Sequence, residues 1–448
     1  MSAAPLSSLP LARGHWLLGH AREMHAAGHA FVAGLCHAGG GRARFRVLHR
    51  QFLASARIED VRHWLVARHE RYGRSFPARN GTRVLGPGLL TADGEDWLKH
   101  RRMLLPPFRR GSLAPVVEAT GAAFAAFEAR LQAQGGRIDP TRDMRRLALD
   151  VITRVLLSEP MAPAVADWFG AQVSDALRLL FRRNYHPLPL PFWLPTRAHR
   201  RLWSIKSGLD DYFAARIAAR RRELRTTPVD ILDTILGARD AATGEPLSGA
   251  QVLSEVKTAF VAGFETSATA LTWAFYNLAR HPEAAGRWHE ELDGVLGGRT
   301  PGWEDLERLP YLSQVVHETL RLYPPVFAAV REALADDEMD GLHVPRGTQC
   351  LISIYGIHRS PEYWRQPERF DPARFAPGAA WEREAWLPFV VGKHQCIGNH
   401  FALLEMSMVL ALAGQRYRVR TEDDAPLGAV PQITLVPDRP FTLRFEAR

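Results

Sequence analysis

Five stretches of the chain repeat apolar residues at a spacing of three to four: Gly121 to Gln134, Arg142 to Leu157, Leu209 to Leu224, Leu253 to Arg280 and Tyr311 to Leu322. That spacing gives helices with an apolar stripe, and the Ala, Leu, Arg and Glu content supports helix at each. A mainly α fold with small β-sheets is therefore predicted. Alternation in Ala43 to Ala56 and in the turn-punctuated Asp340 to Tyr355 predicts a small sheet assembled from both ends of the sequence, and ITLVPDRPFTLRF near the C-terminus reads as a hairpin. No Gly/Ser-rich or Pro-rich linker divides the 448 residues, so one large domain, 1–448, is expected.

Composition excludes several classes. With 46% hydrophobic and 23% charged residues the chain is ordinary globular protein, which removes disorder and coiled coil. Three cysteines, Cys36, Cys350 and Cys396, lie at unrelated spacings with no CxxC pair. Neither a disulfide framework nor a zinc site is indicated, and a reducing cytoplasm is the simplest setting. The first twenty residues lack a charged region followed by a sustained apolar stretch, so neither a signal peptide nor a membrane span is expected. The net charge of +9 would suit nucleic acid, but the arginines are dispersed and no basic stretch carries a nucleic-acid motif. The denser clusters, Lys99 to Arg110 and Ala215 to Arg225, are expected to face solvent or an acidic protein.

Chemistry is suggested by five short stretches. In FVVGKHQCIGNH, glycines flank Cys396, and a helix from about Ile397 would aim N–H groups and positive dipole at the sulfur, favouring thiolate. A nucleophile, a metal ligand and a small buried apolar residue all remain open for it. In VAGFETSATA, Ala262, Glu265, Thr266 and Thr269 share one side of a helix, and Gly263 leaves room for a small ligand to approach. In HETLRLYPP, Glu318 and Arg321 stand one turn apart, which is also the signature of a weak surface ion pair. PERFDPARF holds Arg374 in a proline-punctuated loop, and Trp97 with Arg101 places two donors on one helix face, suited to an anionic group.

Together these motifs resemble the cytochrome P-450 family of haem-thiolate monooxygenases, soluble bacterial type. Phe389, Gly392, His394, Cys396 and Gly398 fill the family's Phe-x-x-Gly-x-Arg/His-x-Cys-x-Gly pattern, with histidine for the commoner arginine. Ala262, Gly263, Glu265, Thr266 and Ser267 match its acid–threonine helix, Glu318 and Arg321 its Glu-x-x-Arg pair, and Pro372, Arg374 and Phe375 its Pro-x-Arg-Phe pattern. Arg331 resembles its propionate-binding arginine. The motifs run from Trp97 to Gly398 in the family's order.

The resemblance implies a single helix-rich P-450 domain with haem between the Thr266 helix and the Cys396 helix. Cys396 would be the axial ligand of haem b, and Trp97, Arg101, Arg331 and His394 would hold its propionates, with Phe389 and Gly398 beside it. Thr266 with Glu265 and water would deliver protons on the other face for O2 activation. Glu318, Arg321 and Arg374 would form a buried triad fixing the cysteine loop. Phe260, Ala262, Val326, Phe327, Ala328, Ala329 and Phe441 are the implied pocket lining, nearly all apolar, for a fatty acid, terpene or carotenoid. Electrons would come from a ferredoxin or flavodoxin with its reductase, docked on Lys99, Arg101, Arg102, Arg109, Arg110, Lys393 and His400. A monomer is expected. The segment Tyr185 to Pro195 would be either a proline-stiffened loop or a substrate-entry element touching lipid. A cysteine hydrolase would leave four motifs unexplained, and a haem sensor or carrier would leave the Glu265–Thr266 pair unexplained. A peroxide-driven hydroxylase or haem-thiolate isomerase is the alternative within the family.

Overall fold

The computed structural model describes residues 4–184, 186, 189–223, 225 and 227–448. Its principal helices are α1 (Ala21–Ala38), α2 (Gly94–Leu104), α3 (Ala114–Ala133), α4 (Pro140–Leu157), α5 (Pro163–Asn184), α6 (Arg197–Arg222), α7 (Gly249–Arg280), α8 (Pro310–Leu322) and α9 (Asn399–Arg416). α3, α4, α6, α7 and α8 coincide with the five apolar-periodic stretches. α7 starts in a capping box, Ser248 with Gln251, and runs 32 residues, about 48 Å. From Val252 to Leu278 it is apolar and buried on most of its circumference, so it must be wrapped: α4 packs along it most extensively, with α6, α8 and α9 completing the shell. The larger hydrophobic core surrounds it.

A second core lies under a five-stranded sheet. The strands are β1 (Arg42–Val47), β2 (Arg50–Ser55), β3 (Tyr72–Arg74), β4 (Ala328–Ala333) and β5 (Gln349–Ser353), in the order β1-β2-β5-β4-β3. β2 runs parallel to β5, with Phe52 opposite Gln349 and Ser55 opposite Ile352, so the sheet joins both ends of the sequence as expected. In the antiparallel β3–β4 pair Arg74 stands opposite Arg331, which brings two guanidinium groups to one edge of the sheet.

Two expectations are corrected here. The C-terminal hairpin does not form. The strands there are β6 (Tyr417–Thr421), β7 (Ala429–Pro431), β8 (Leu435–Pro437) and β9 (Leu443–Ala447); β8 pairs back with β7, and β9 pairs with β6 and with Arg137–Ile138. Pro437 and Pro440 remove the donors that a β8–β9 ladder would need, so the chain crosses between two small sheets instead. The basic cluster Ala215 to Arg225 does not face solvent throughout. Arg220 is buried, donating to Asp230 and Asp233 at 2.7 Å and to the Leu157 carbonyl at 2.8 Å, which ties the end of α4 to the following short helix. Leu224 lies outside the described residues.

Within Tyr185 to Pro195, the residues Tyr185, Pro187 and Leu188 also lie outside them. Phe192 is buried under Arg83 and Arg183, and Trp193 is 80% exposed. Among the described residues no helix is long and apolar enough to cross a membrane.

Candidate functional site

The loop before α9 is held in shape by one glycine. Gly392 has φ +77°, and a Cβ there would lie 2.0 Å from the Leu65 carbonyl oxygen, so only glycine fits. The Gln395 N–H donates to Gly392 O and the Cys396 N–H to Phe389 O, each at 3.0 Å, closing the loop and projecting the thiol. Cys396 is exposed, whereas Cys36 and Cys350 are buried. α9 begins at Asn399 with Gly398 as its N-cap, slightly later than expected, and the Gly398 N–H is directed at the sulfur. A Cβ on Gly398 would meet open space. Although the side chain is open at the loop surface, enclosure by the surrounding chain pushes the Cys396 thiol up, while the Gly398 N–H and then Arg101 pull it toward thiolate.

On α7, Ala262 is exposed and Thr266 half-buried in a helix otherwise enclosed at that level. The Thr266 hydroxyl donates to Ala262 O at 2.7 Å. Glu265 is buried, accepting from Arg145 of α4 at 3.1 Å through Oε1, with Oε2 unpartnered among the described residues. Gly263 serves packing rather than ligand access: a Cβ there would lie 2.8 Å from Ile152 Cδ1 of α4.

Of the implied pocket residues, Val326, Phe327 and Ala328 are partly exposed and Ala329 is nearly enclosed. Phe260 is not lining. It is fully buried, its ring 4.9 Å from Phe169 and 5.0 Å from Phe213, in the aromatic core beneath α5 and α6. Phe441 is buried against Tyr276, whose position on α7 is about 15 Å along the axis from Thr266. The turn between β7 and β8 lies instead beside the chain that follows α8. The Leu435 N–H donates to Pro325 O at 3.0 Å, and Ile433 in that turn is exposed. The misplaced hairpin hid this turn from sequence reasoning.

A cationic wall stands beside the cysteine loop. Buried Trp97 packs on the His394 ring at 4.1 Å, and Arg101 donates to Gln395 O at 2.8 Å. Arg331 is buried, its only side-chain hydrogen bond within the described residues going to the neighbouring Val330 carbonyl. Burial and then Arg74 lower its pKa to about 10. Burial and the positive field of Arg74, Arg331, Lys393 and Arg101 push His394 down to about 2, and its Nδ1 is buried without a partner among the described residues. Arg74 was missed by sequence reasoning, because only the β3–β4 register reveals it.

The three residues Glu318, Arg321 and Arg374 lie together. Arg321 and Glu318 are fully buried, joined by two hydrogen bonds of 2.6 and 2.8 Å, and Arg374 Nε donates to Glu318 at 3.2 Å. Arg321 also donates to the carbonyls of His358 and Pro367 at 2.7 Å. His358, which the sequence reading did not single out, extends this frame to the cysteine loop. Its Nδ1–H donates to Arg321 O at 2.9 Å and its Nε2 accepts the Leu387 N–H at 2.8 Å, so only the neutral ring satisfies both contacts. Burial, then the charge of Arg321, depress His358 from 6.5 to about 3. Its contribution to stability is therefore present above pH 6.5 and lost as pH falls toward 3. The gap in urea midpoint between wild type and His358→Asn is expected to shrink on acidification over that window. A constant gap would remove His358 from the acid response.

These features fit one kind of prosthetic group. An exposed thiol, an open Gly398 and an exposed Ala262–Thr266 face suit a flat metal-bearing ring. Four cations around an unpartnered His394 nitrogen suit its anionic edge. The sequence profile of the family described as Cytochrome P450 matches residues 9–445. The chain belongs to the cytochrome P450 family. As such it is a haem-dependent monooxygenase whose iron takes a cysteine thiolate, working with a redox partner, O2 and an apolar substrate.

Among similar proteins is cyclooctat-9-en-7-ol 5-monooxygenase of Streptomyces melanosporofaciens, 37% identical over 75% of this P450 and 73% of the relative. Pentalenene oxygenase of Streptomyces avermitilis is 34% identical over 82% and 81%, respectively. Leukotriene-B4 omega-hydroxylase 3 of Mus musculus is 32% identical over 81% and 74%.

Proposed function

We propose that this P450 oxidises an apolar terpenoid, with electrons from a ferredoxin or flavodoxin and its reductase. The observation that carries the reading is the exposed Ala262 and half-buried Thr266 on α7, with the buried Glu265 beside the Thr266 hydroxyl in sequence. Haem b, held through Cys396, supplies O2 activation and insertion of one oxygen atom into the substrate. Arg74, Trp97, Arg101, Arg331 and His394 hold its propionates. Thr266, back-bonded to Ala262 O, keeps its oxygen lone pairs available to a water, and Glu265 is the proton source behind it.

Ala262, Val326, Phe327, Ala328, Ala329 and Ile433 orient an apolar substrate and exclude bulk water. The terpenoid choice follows the names of the two Streptomyces relatives; the mouse ω-hydroxylase makes a fatty acid the alternative. For the redox partner, Arg102 and Arg109 are exposed with no ion pair among the described residues, while Arg110 pairs with Glu307 and Lys99 with Glu245. Arg102, Arg109 and Lys393 are thus the cations left without an ion pair for an acidic partner among the described residues.

Reconstitution with a ferredoxin, its reductase and a terpenoid panel tests the proposal. Product should form with reductant, and Thr266→Ala should keep haem and substrate binding while releasing several-fold more peroxide per reductant. Unchanged coupling in Thr266→Ala removes that residue from proton delivery, and turnover on peroxide alone points to the peroxide-driven alternative.

A further inference from the structure

Arg74 is held by a loop rather than by a partner charge. Its Nε donates to Ala92 O and its Nη2 to Leu89 O, each at 3.2 Å, while its own backbone N–H donates to Asp93 Oδ2 at 2.6 Å. The charge so placed acts on His394 more strongly than that of Arg331, Lys393 or Arg101. The loop, residues 86–93, is closed from inside by Thr91, whose hydroxyl donates to Gly86 O at 2.6 Å and accepts the Gly88 N–H at 3.1 Å. It sits directly on α7. A Cβ on Gly88 would stand 3.1 Å from Thr258 Oγ1 and 3.3 Å from Glu255 Oε1, and the next N–H, that of Leu89, donates to Glu255 Oε1 at 2.9 Å. Leu89 therefore meets Glu255 through its N–H and Arg74 through its carbonyl.

Glu255 is buried, about three turns before Thr266 on α7. It is fixed from the other side as well. In the capping box of α7, Gln251 Oε1 is taken by the Ser248 N–H at 2.9 Å, so the Gln251 amide nitrogen faces His100 Nε2 at 3.2 Å and must donate to it. His100 then carries its proton on Nδ1, which donates to Glu255 Oε1. His100 is itself buried on α2, in the turn that carries Trp97 and Arg101. We propose that Glu255 is a positioning residue for haem: it fixes Leu89, and through the Leu89 carbonyl it holds the Arg74 guanidinium on the wall that receives the propionates. The inference rests on Arg74 being a propionate-binding cation. Without the Glu255 acceptor, the Leu89 and His100 donors lose their partner, and the loop must lift from α7 for water to reach them. A cation beside the propionates stabilises the more negative, reduced haem, so its withdrawal lowers the reduction potential.

The test uses haem-loaded wild type, Arg74→Ala, Glu255→Ala, Glu255→Gln and the double variant Arg74→Ala/Glu255→Ala. Arg74→Ala should lose haem to apomyoglobin on the order of tenfold faster, the lower end of what removing a group around a metal centre brings, and its reduction potential should fall. Glu255→Ala should move both readings the same way by a smaller amount. Glu255→Gln keeps a carbonyl oxygen for the Leu89 N–H and should restore most of both. The double variant should match Arg74→Ala alone, because Glu255 acts only through Arg74. A contact that merely pins the loop to α7 would speed haem loss in Glu255→Ala without moving the potential, and its effect would add to that of Arg74→Ala.

Resonance Raman spectra of the ferric protein give an independent readout. The propionate-bending band should shift in Arg74→Ala and in Glu255→Ala, and lie at the wild-type position in Glu255→Gln. Glu255→Met, which fills similar space without an oxygen acceptor, carries the comparison where Glu255→Ala loads haem poorly. A wild-type potential and Raman band in Glu255→Ala and Glu255→Met, or additive shifts in the double variant, overturns the role of Glu255. Wild-type haem loss and potential in Arg74→Ala instead overturns the assignment of Arg74 to the propionates.

Discussion

Arg321→Ala is expected to leave little haem-loaded protein. Glu318 would keep its buried charge with only Arg374 and the Asp371 N–H to meet it, and the carbonyls of His358 and Pro367 would lose their donor. Breaking a buried pair in this way costs about 3 to 5 kcal/mol, a large part of the roughly 5 to 15 kcal/mol that holds a typical domain folded. Glu318→Ala should behave alike. Glu332→Ala is the control, since Glu332 pairs with an exposed Arg79 and such surface contacts contribute up to about 1 kcal/mol. Haem-to-protein ratios of the purified variants decide the matter. Full occupancy in Arg321→Ala would mean that the frame behind the cysteine loop is dispensable.

The second large effect concerns the ligand. Reduced protein with carbon monoxide should show the red-shifted Soret band of thiolate-ligated haem, and Cys396→Ser should lose it. Cys36 and Cys350 cannot substitute. Both are buried, Cys350 between β2 and β4, and burial pushes both thiols upward. A Cys396→Ser protein that retained the shifted band would place the iron elsewhere.

What the sequence made legible divides along physical lines. Local periodicity reported the helices, because an apolar stripe is written within a few turns of chain. Motif spacing reported Cys396, Thr266, Glu318, Arg321 and Trp97, since each stands at a fixed offset on its own element. Arg74, Arg145 and His358 escaped because their importance lies in contacts with distant segments: β3 against β4, α4 against α7, and the Arg321 carbonyl against the Leu387 N–H. Phe260 and Phe441 depart from expectation for the complementary reason. Their apolar character was read correctly, but which side of an element faces the ligand is settled by packing. Gly263 shows the same limit, its missing side chain being occupied by Ile152.

The parallel pairing of β2 with β5, and the approach of Gly392 to the Leu65 carbonyl, join segments separated by some three hundred residues. During synthesis on the ribosome β2 therefore presents an open edge toward β5 until residues 349–353 have emerged, and the seat beside Leu65 stays unfilled until residue 392 follows. Contacts this distant in sequence form late, after most of the loop-closure entropy has been met. The nascent chain must shelter that edge through most of its translation, and the haem loop closes only near its end.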